Sequence, residues 1–387
     1  MEIEIETTPF NISLPQCGST EECDFARFVS ISILSFIACI GAASNLLLTF
    51  IFTTKKYSNA PPTLYPTFLA ILDSLICIFY VLMFGVDVIM IYLKIETLFV
   101  IYHYYIVPAF VLAKITQLAI PYMLIFVTME RYAWISENFK SFCLFTAKGR
   151  PMSVILCLIV CAVLRAPFAA ALVVEEYPEC LDFFRTLAVS IHDWAVESKV
   201  YVTYDFHIMT IIHVFVPFVS LLFFNSIIVY KLSLIQRQSK KLDYTNSDSL
   251  VILVQATQKF ATMRKSKMSK SVKNAVVTTL AIVTSYLVCN SLHMFLTVLE
   301  RTGHSILKHS EDENLASTFY TIFADSISAL YMLSSATRIV IYCKCNPVIY
   351  AYVLSMFTGV ISRHASLKIR ERVVKRRMSM FEPSYDL

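Results

Sequence analysis

Seven apolar runs of 23 to 34 residues, divided by polar stretches, leave this 387-residue chain few ways to fold. They lie at 28 to 53, 66 to 93, 101 to 134, 152 to 174, 203 to 232, 274 to 299 and 319 to 351. A helix crosses a hydrocarbon core with about 20 residues, whereas a barrel strand uses about 9 to 11 and alternates in polarity. Stretches such as Ile31 to Ile40 are apolar on every side, so these runs are too long and too uniform for strands. Without water in the hydrocarbon, every backbone amide must bond within its own segment. The expected fold class is all-α, an integral membrane bundle of seven transmembrane helices. Composition agrees, since 16% charged residues is well below the roughly 25% of soluble chains and argues against a soluble enzyme.

Charge sets the expected orientation. Of the 33 Lys and Arg residues, 21 fall in the loops 54 to 65, 135 to 151 and 233 to 273 and in the tail from 352; the opposite side holds 6. Basic residues accumulate in cytoplasmic loops, which places the N-terminus outside and the C-terminus inside. Residues 1–27 then form an extracellular segment, 28–351 the bundle, and 352–387 an amphipathic helix followed by a basic cytoplasmic tail. The start, MEIEIETTPF, lacks the basic region and apolar core of a cleaved signal peptide. Asn11 opens the one glycosylation sequon and falls on the expected outer side. That side carries 17 acidic residues against 6 basic ones, giving an acidic outer mouth.

Eight of the eleven cysteines lie in the runs or on the reducing side, where the thiol is a small apolar group. Cys17, Cys23 and Cys180 face the oxidising exterior, and three thiols allow one disulfide whose pairing spacing does not decide.

Particular polar residues narrow the class. The first run contains Asn45, the second Asp73, the third ends in Glu130-Arg131-Tyr132, the fifth carries Pro217, and the seventh ends in Asn346-Pro347-Val348-Ile349-Tyr350. In these positions and this order they resemble a rhodopsin-like (class A) G-protein-coupled receptor, over residues 28 to 365. The resemblance implies that Arg131 is held by Glu130 until it is freed to contact a heterotrimeric G protein. It implies that Asp73, Asn45 and Asn346 form a polar cluster, and that Tyr350 swings inward about Pro347. Physically, Pro347 and Pro217 each lack an N–H, which frees the carbonyls of Cys343 and His213 and bends the helix. A carboxylate such as Asp73 in mid-membrane must face the interior and find a partner. Ile120 and Tyr342 replace polar residues that help hold sodium in the family, so no bound metal or other cofactor is expected.

Departures from the family pattern refine the reading. Ile106 stands where the family places the cysteine that ties the third helix to the second outer loop, which makes Cys17 or Cys23 the partner expected for Cys180. Ala113 replaces the counter-ion of amine receptors, and Val340 the lysine that binds retinal. Cys289-Asn290-Ser291-Leu292 in the sixth run resembles invertebrate, particularly nematode, FMRFamide-type neuropeptide receptors. The resemblance implies a plasma-membrane glycoprotein that takes a short amidated peptide and contacts lipid and a G protein, with no nucleic acid among its partners.

An acidic mouth attracts cations, and Asp87, Asp205, Glu300 and Asp325 near the outer helix ends suit a ligand guanidinium. Gln117, His293 and Met294 fall at depths suited to an aromatic ring. Lys114, next to Ala113, opposes a cation there and suits instead a small acidic, non-peptide ligand, the alternative. Lys114, Arg165, Arg338 and Lys344 are all charges within the runs; structural pairing with Asp73 or with carbonyls is expected for the last three. A transporter, the remoter alternative, would show internal repeats and helices broken at matching places, and no repeat is found. Hydrolase motifs are also missing from the runs, so no enzyme is expected.

Overall fold

The computed structural model describes residue 17 and residues 25–54, 63–136, 143–245, 270–302 and 318–358. It has seven helices long and apolar enough to cross a membrane: Phe25–Thr54, Leu64–Leu93, Glu96–Ile135, Gly149–Ala171, Lys199–Ile235, Val272–Leu299 and Ile322–Cys345. These first to seventh spans coincide with the seven apolar runs to within a few residues at most ends, and the chain is a multi-pass membrane protein. Their surfaces are inverted relative to a soluble fold. Phe36, Ile40 and Phe50 of the first span and Met152, Ile155, Ile159 and Val163 of the fourth point outward, while Asn45, Asp73, Glu130 and Arg338 are buried. Hydrocarbon is as apolar as leucine, so polar groups and close packing, not hydrophobicity alone, decide which faces meet.

The third span is the axis. It packs against the second, fourth, fifth and sixth spans, and its Leu118, Ala119, Ile120, Met123 and Leu124 lie wholly in the core. The first span closes the ring against the second and seventh. That closure depends on two glycines: a Cβ on Gly41 would lie 2.5 Å from the Ala336 Cβ, and one on Gly85 would lie 2.6 Å from Ser35 Oγ.

Three features depart from the expected helices. The fourth span stops at Ala171, where Leu172 turns extended, and the chain forms an antiparallel hairpin of β1 (Leu172–Glu176) and β2 (Leu187–Ile191). Its register pairs Leu172 with Ile191 and Glu176 with Leu187. The β-branched Val173, Val174, Val189 and Ile191 suit strands, but the first two merely prolong an apolar run in the sequence. The seventh run is interrupted rather than bent. Asn346 is extended (φ −128°, ψ 98°) and ends the span at Cys345; Pro347 then opens a separate helix, Pro347–Thr358. Proline suits a first helical position, where no N–H is required, and Asn346 Oδ1 accepts from the Val348 amide at 3.1 Å. That helix covers 352–358 of the expected amphipathic segment; the rest of the tail lies outside the described residues.

The fifth span is wound wide ahead of Pro217. A π-helical segment, Ile211–Phe215, ends two residues before the proline, and the Ile212 carbonyl accepts a 2.8 Å hydrogen bond from the Tyr122 hydroxyl of the third span. The missing amide is thus met by a wider turn and a side chain from a neighbouring helix, a known remedy within membranes.

Candidate functional site: a hairpin-covered pocket and a buried arginine

The hairpin lies over one end of the bundle, pinned in two ways. Cys17 and Cys180 are disulfide-bonded; Cys23 and Asn11 lie outside the described residues. Phe184, in the short helical turn Phe183–Arg185 between the strands, enters a cluster with Met90, Phe99, Tyr102 and Ile106. Phe99 of the third span meets Phe184 edge-on at 5.4 Å, so the loop is packed onto that span, with Ile106 in the same cluster. Lys94, the one left-handed non-glycine residue among the described residues at φ 54°, turns the second span toward the third and sets its ammonium 4.7 Å from the Phe184 ring centre.

Beneath the hairpin is a cavity of about 290 Å3 whose lining includes Arg27, Met83, Phe84, Asp87, Phe99, His103, Phe110, Asp325 and residues 187–189 of β2. A second, deeper cavity of about 100 Å3 shares Met83, Phe84 and Phe110 and reaches Ala113, Lys114, Gln117, Ser328 and Tyr331. Tyr331 donates to the Gln117 carbonyl at 3.0 Å, fastening the seventh span to the third at this depth. Of the ligand candidates read from the sequence, Asp87, Asp325, Lys114 and Gln117 are brought together here.

The others stand elsewhere. Asp205 lies 3.7 Å from Arg165, whose guanidinium also contacts His213 Nδ1 at 3.0 Å. His293 packs its ring 6.0 Å from that of His213, and neither His293 nor the half-buried Met294 lines the two cavities. Glu300 is helical, and its side chain lies outside the described set. Asp325 pairs with Arg27 at 3.2 Å, a partner not anticipated from the sequence although Arg27 directly precedes the first run.

In mid-bundle, Asp73 is wholly buried and lies 2.7 Å from Arg338 Nη1. Asn45 donates to the carbonyls of Gly41 and Ser335, each at 3.0 Å. The seventh span thus meets Asn45 through the Ser335 carbonyl and Asp73 through Arg338, whereas Asn346, expected beside them, caps the next helix instead. Arg338 is the structural pair expected of it, and Arg165 pairs with Asp205 rather than with Asp73.

At the far end, Glu130 and Arg131 are buried, with Arg131 Nη1 3.8 Å from Glu130 Oε2. Glu130 has a closer partner. Arg150, at the start of the fourth span, donates from Nε to Glu130 Oε1 at 2.7 Å. The Tyr65 hydroxyl meets Ser153 Oγ at 2.8 Å, and Ser153 in turn donates to the Arg150 carbonyl at 2.8 Å. Tyr132 lies under the Lys231 ammonium, 4.4 Å from the ring centre, linking the third and fifth spans. Tyr350 is exposed rather than turned inward; Tyr342 is the buried tyrosine of the seventh span, edge-on to Phe52 at 5.2 Å.

No protein-family model matches the chain, and no curated protein matches it in sequence. Among solved structures it is similar to squid rhodopsin, with a TM-score of 0.58, 13% identity and 89% of each chain covered. The chain thus has the seven-helix fold of a rhodopsin.

Proposed function

We propose that the protein is a rhodopsin-like G-protein-coupled receptor of the plasma membrane that takes a short amidated neuropeptide outside and activates a heterotrimeric G protein inside. The hairpin end is then extracellular and the Arg131 end cytoplasmic, as the basic loops require. One observation carries the reading: a buried Glu130–Arg131 couple held by Arg150 lies at one end of a rhodopsin-fold bundle whose other end has a covered, acid-bearing cavity. Arg131 is suited to a switch because its guanidinium is always charged and is held beside a carboxylate that a competing partner can displace. Asp87 and the apolar walls of the outer cavity suit a ligand with one cationic and one aromatic group. FMRFamide-type specificity rests on the Cys289-Asn290 stretch and on that cavity chemistry.

The test is guanine-nucleotide exchange on a G protein reconstituted with the purified chain, driven by a library of short amidated peptides. Exchange is expected with the native chain and is expected to fall to background in Arg131→Ala at matched folded amount. Full ligand-driven exchange by Arg131→Ala would remove the switch. Labelling of an N-terminal epitope only after permeabilisation would reverse the topology. Asn11→Gln is expected to abolish a glycan.

A further inference from the structure

The outer and deep cavities differ in charge. Asp87 and Asp325 are acids of the outer one, whereas Lys114 is the one Lys, Arg, Asp or Glu among the residues lining the deep one. Its ammonium sits 5.5 Å from the Phe110 ring centre and within Coulombic reach of the imidazoles of His213 and His293. Behind those rings lies Arg165, buried and bonded to His213 at 3.0 Å. This part of the bundle is therefore rich in basic groups. Low-dielectric walls strengthen any charge brought to Lys114, and Gln117 and Ser328 add side chains able to donate hydrogen bonds.

We propose that the deep cavity is a subsite for a carboxylate of the ligand, with Lys114 as its counter-ion and Gln117 and Ser328 as further donors. The inference rests on the ligand-receptor reading above and deepens it: the occupant carries both signs, a cation near Asp87 and a carboxylate that reaches Lys114 in the deep cavity. The acid belongs either to a peptide side chain or to a free short-chain acid.

Thermal unfolding of the purified full chain, titrated with phenylpropionate and its neutral amide phenylpropionamide, tests it. The acid is expected to raise Tm saturably and the amide to do so at least about tenfold more weakly, the worth of one charge-assisted hydrogen bond. Lys114→Gln is expected to erase the difference and Lys114→Arg to keep it, so a folding defect in one variant leaves the other informative. Equal effects of acid and amide on the native chain, or an undiminished acid preference in Lys114→Gln, would overturn the subsite. Phenethylguanidine serves as the control for the outer cavity. If it stabilises the native chain but not Asp87→Asn while phenylpropionate does nothing, the deep subsite alone is wrong; if neither probe acts, the outer ligand pocket falls with it. For the source of the acid, Asp-Leu-Arg-Phe-amide exceeding Asn-Leu-Arg-Phe-amide in driving exchange assigns it to a peptide, and equal potency with an active phenylpropionate assigns it to a free acid.

Discussion

The ion pairs at the hairpin end differ from those deeper in the bundle. Arg27–Asp325 and Arg165–Asp205 span 3.2 and 3.7 Å, with carboxylate side chains 27% and 35% exposed. Arg338–Asp73 and Arg150–Glu130 both span 2.7 Å, with carboxylates wholly buried. A half-wet pair contributes little to stability and is readily exchanged, whereas a buried pair is costly to break because it strands a charge in a poor solvent. The gradient runs from a rim where an incoming ligand can replace a partner to a floor where only a change of helix packing can. Substitutions that grade with depth sharpen this contrast, and effects of equal size at both levels would break it.

The largest effect is expected at the floor. Arg338→Leu leaves Asp73 buried without its guanidinium and is expected to cost about 3 to 5 kcal/mol, read as loss of folded protein and a lower Tm. Asp73→Leu combined with Arg338→Leu removes both charges and is expected to regain much of that loss. A double variant no more stable than the worse single variant would show that the two residues matter for separate reasons.

Next comes Glu130. A hydrogen bond to a charged group is worth about 1.5 to 3 kcal/mol, so Arg150→Met is expected to free Glu130 to close on Arg131 and to lower basal nucleotide exchange about tenfold. Glu130→Gln weakens the hold on Arg131 and is expected to raise it. If both variants lowered exchange alike, Arg150 would act through the packing of the fourth span instead of through the shared carboxylate.

The sequence was most informative where hydrocarbon penalises polarity. Seven uninterrupted runs admitted one architecture, and Asn45, Asp73, Glu130 and Arg131 stood out because each is expensive in that solvent; all four are buried in the bundle. Partners were harder to read. Arg150 lies 20 residues from Glu130 and counted only as one basic loop residue. Arg165 and Arg338 were recognisable as mid-span charges, but dividing Asp205 and Asp73 between them depends on how each helix rotates about its axis. The hairpin was hidden because Val173 and Val174 continue the run that ends the fourth span. Ile106 told of a missing covalent staple; that Phe184 would pack there instead depended on a loop conformation with no helical or strand period along most of its length.

That substitute staple offers an intermediate step in the series. Ile106→Val removes one methylene from the cluster that holds Phe184 and is expected to cost about 0.5 to 1.5 kcal/mol, measured as a fall in Tm. Because the cluster and the disulfide hold the same hairpin and each limits the motion that would undo the other, reduction of Cys17–Cys180 is expected to lower Tm further in Ile106→Val than in the native chain. Identical reductive losses in both proteins would mean that the two fastenings are independent rather than mutually supporting.

The smallest effect is expected at the rim, where Arg27 and Asp325 join the first and seventh spans. Both side chains are partly exposed, and water screens the pair while their freedom is lost in holding it, so a double-mutant cycle of Arg27→Met with Asp325→Asn is expected to give a coupling of about 1 kcal/mol or less. Salt should weaken that coupling, since charges open to solvent are screened over about 10 Å at 0.1 M, and should leave the Asp73–Arg338 coupling nearly unchanged. A weak pair at the mouth of a cavity is one that an incoming guanidinium can displace from Asp325. Arg27→Met is therefore expected to leave Tm almost unaltered yet to change the response to phenethylguanidine. A rim coupling above 2 kcal/mol that persisted in high salt would make this pair a structural clasp like Asp73–Arg338, and the depth gradient would no longer distinguish ligand exchange from the fastening of the helices.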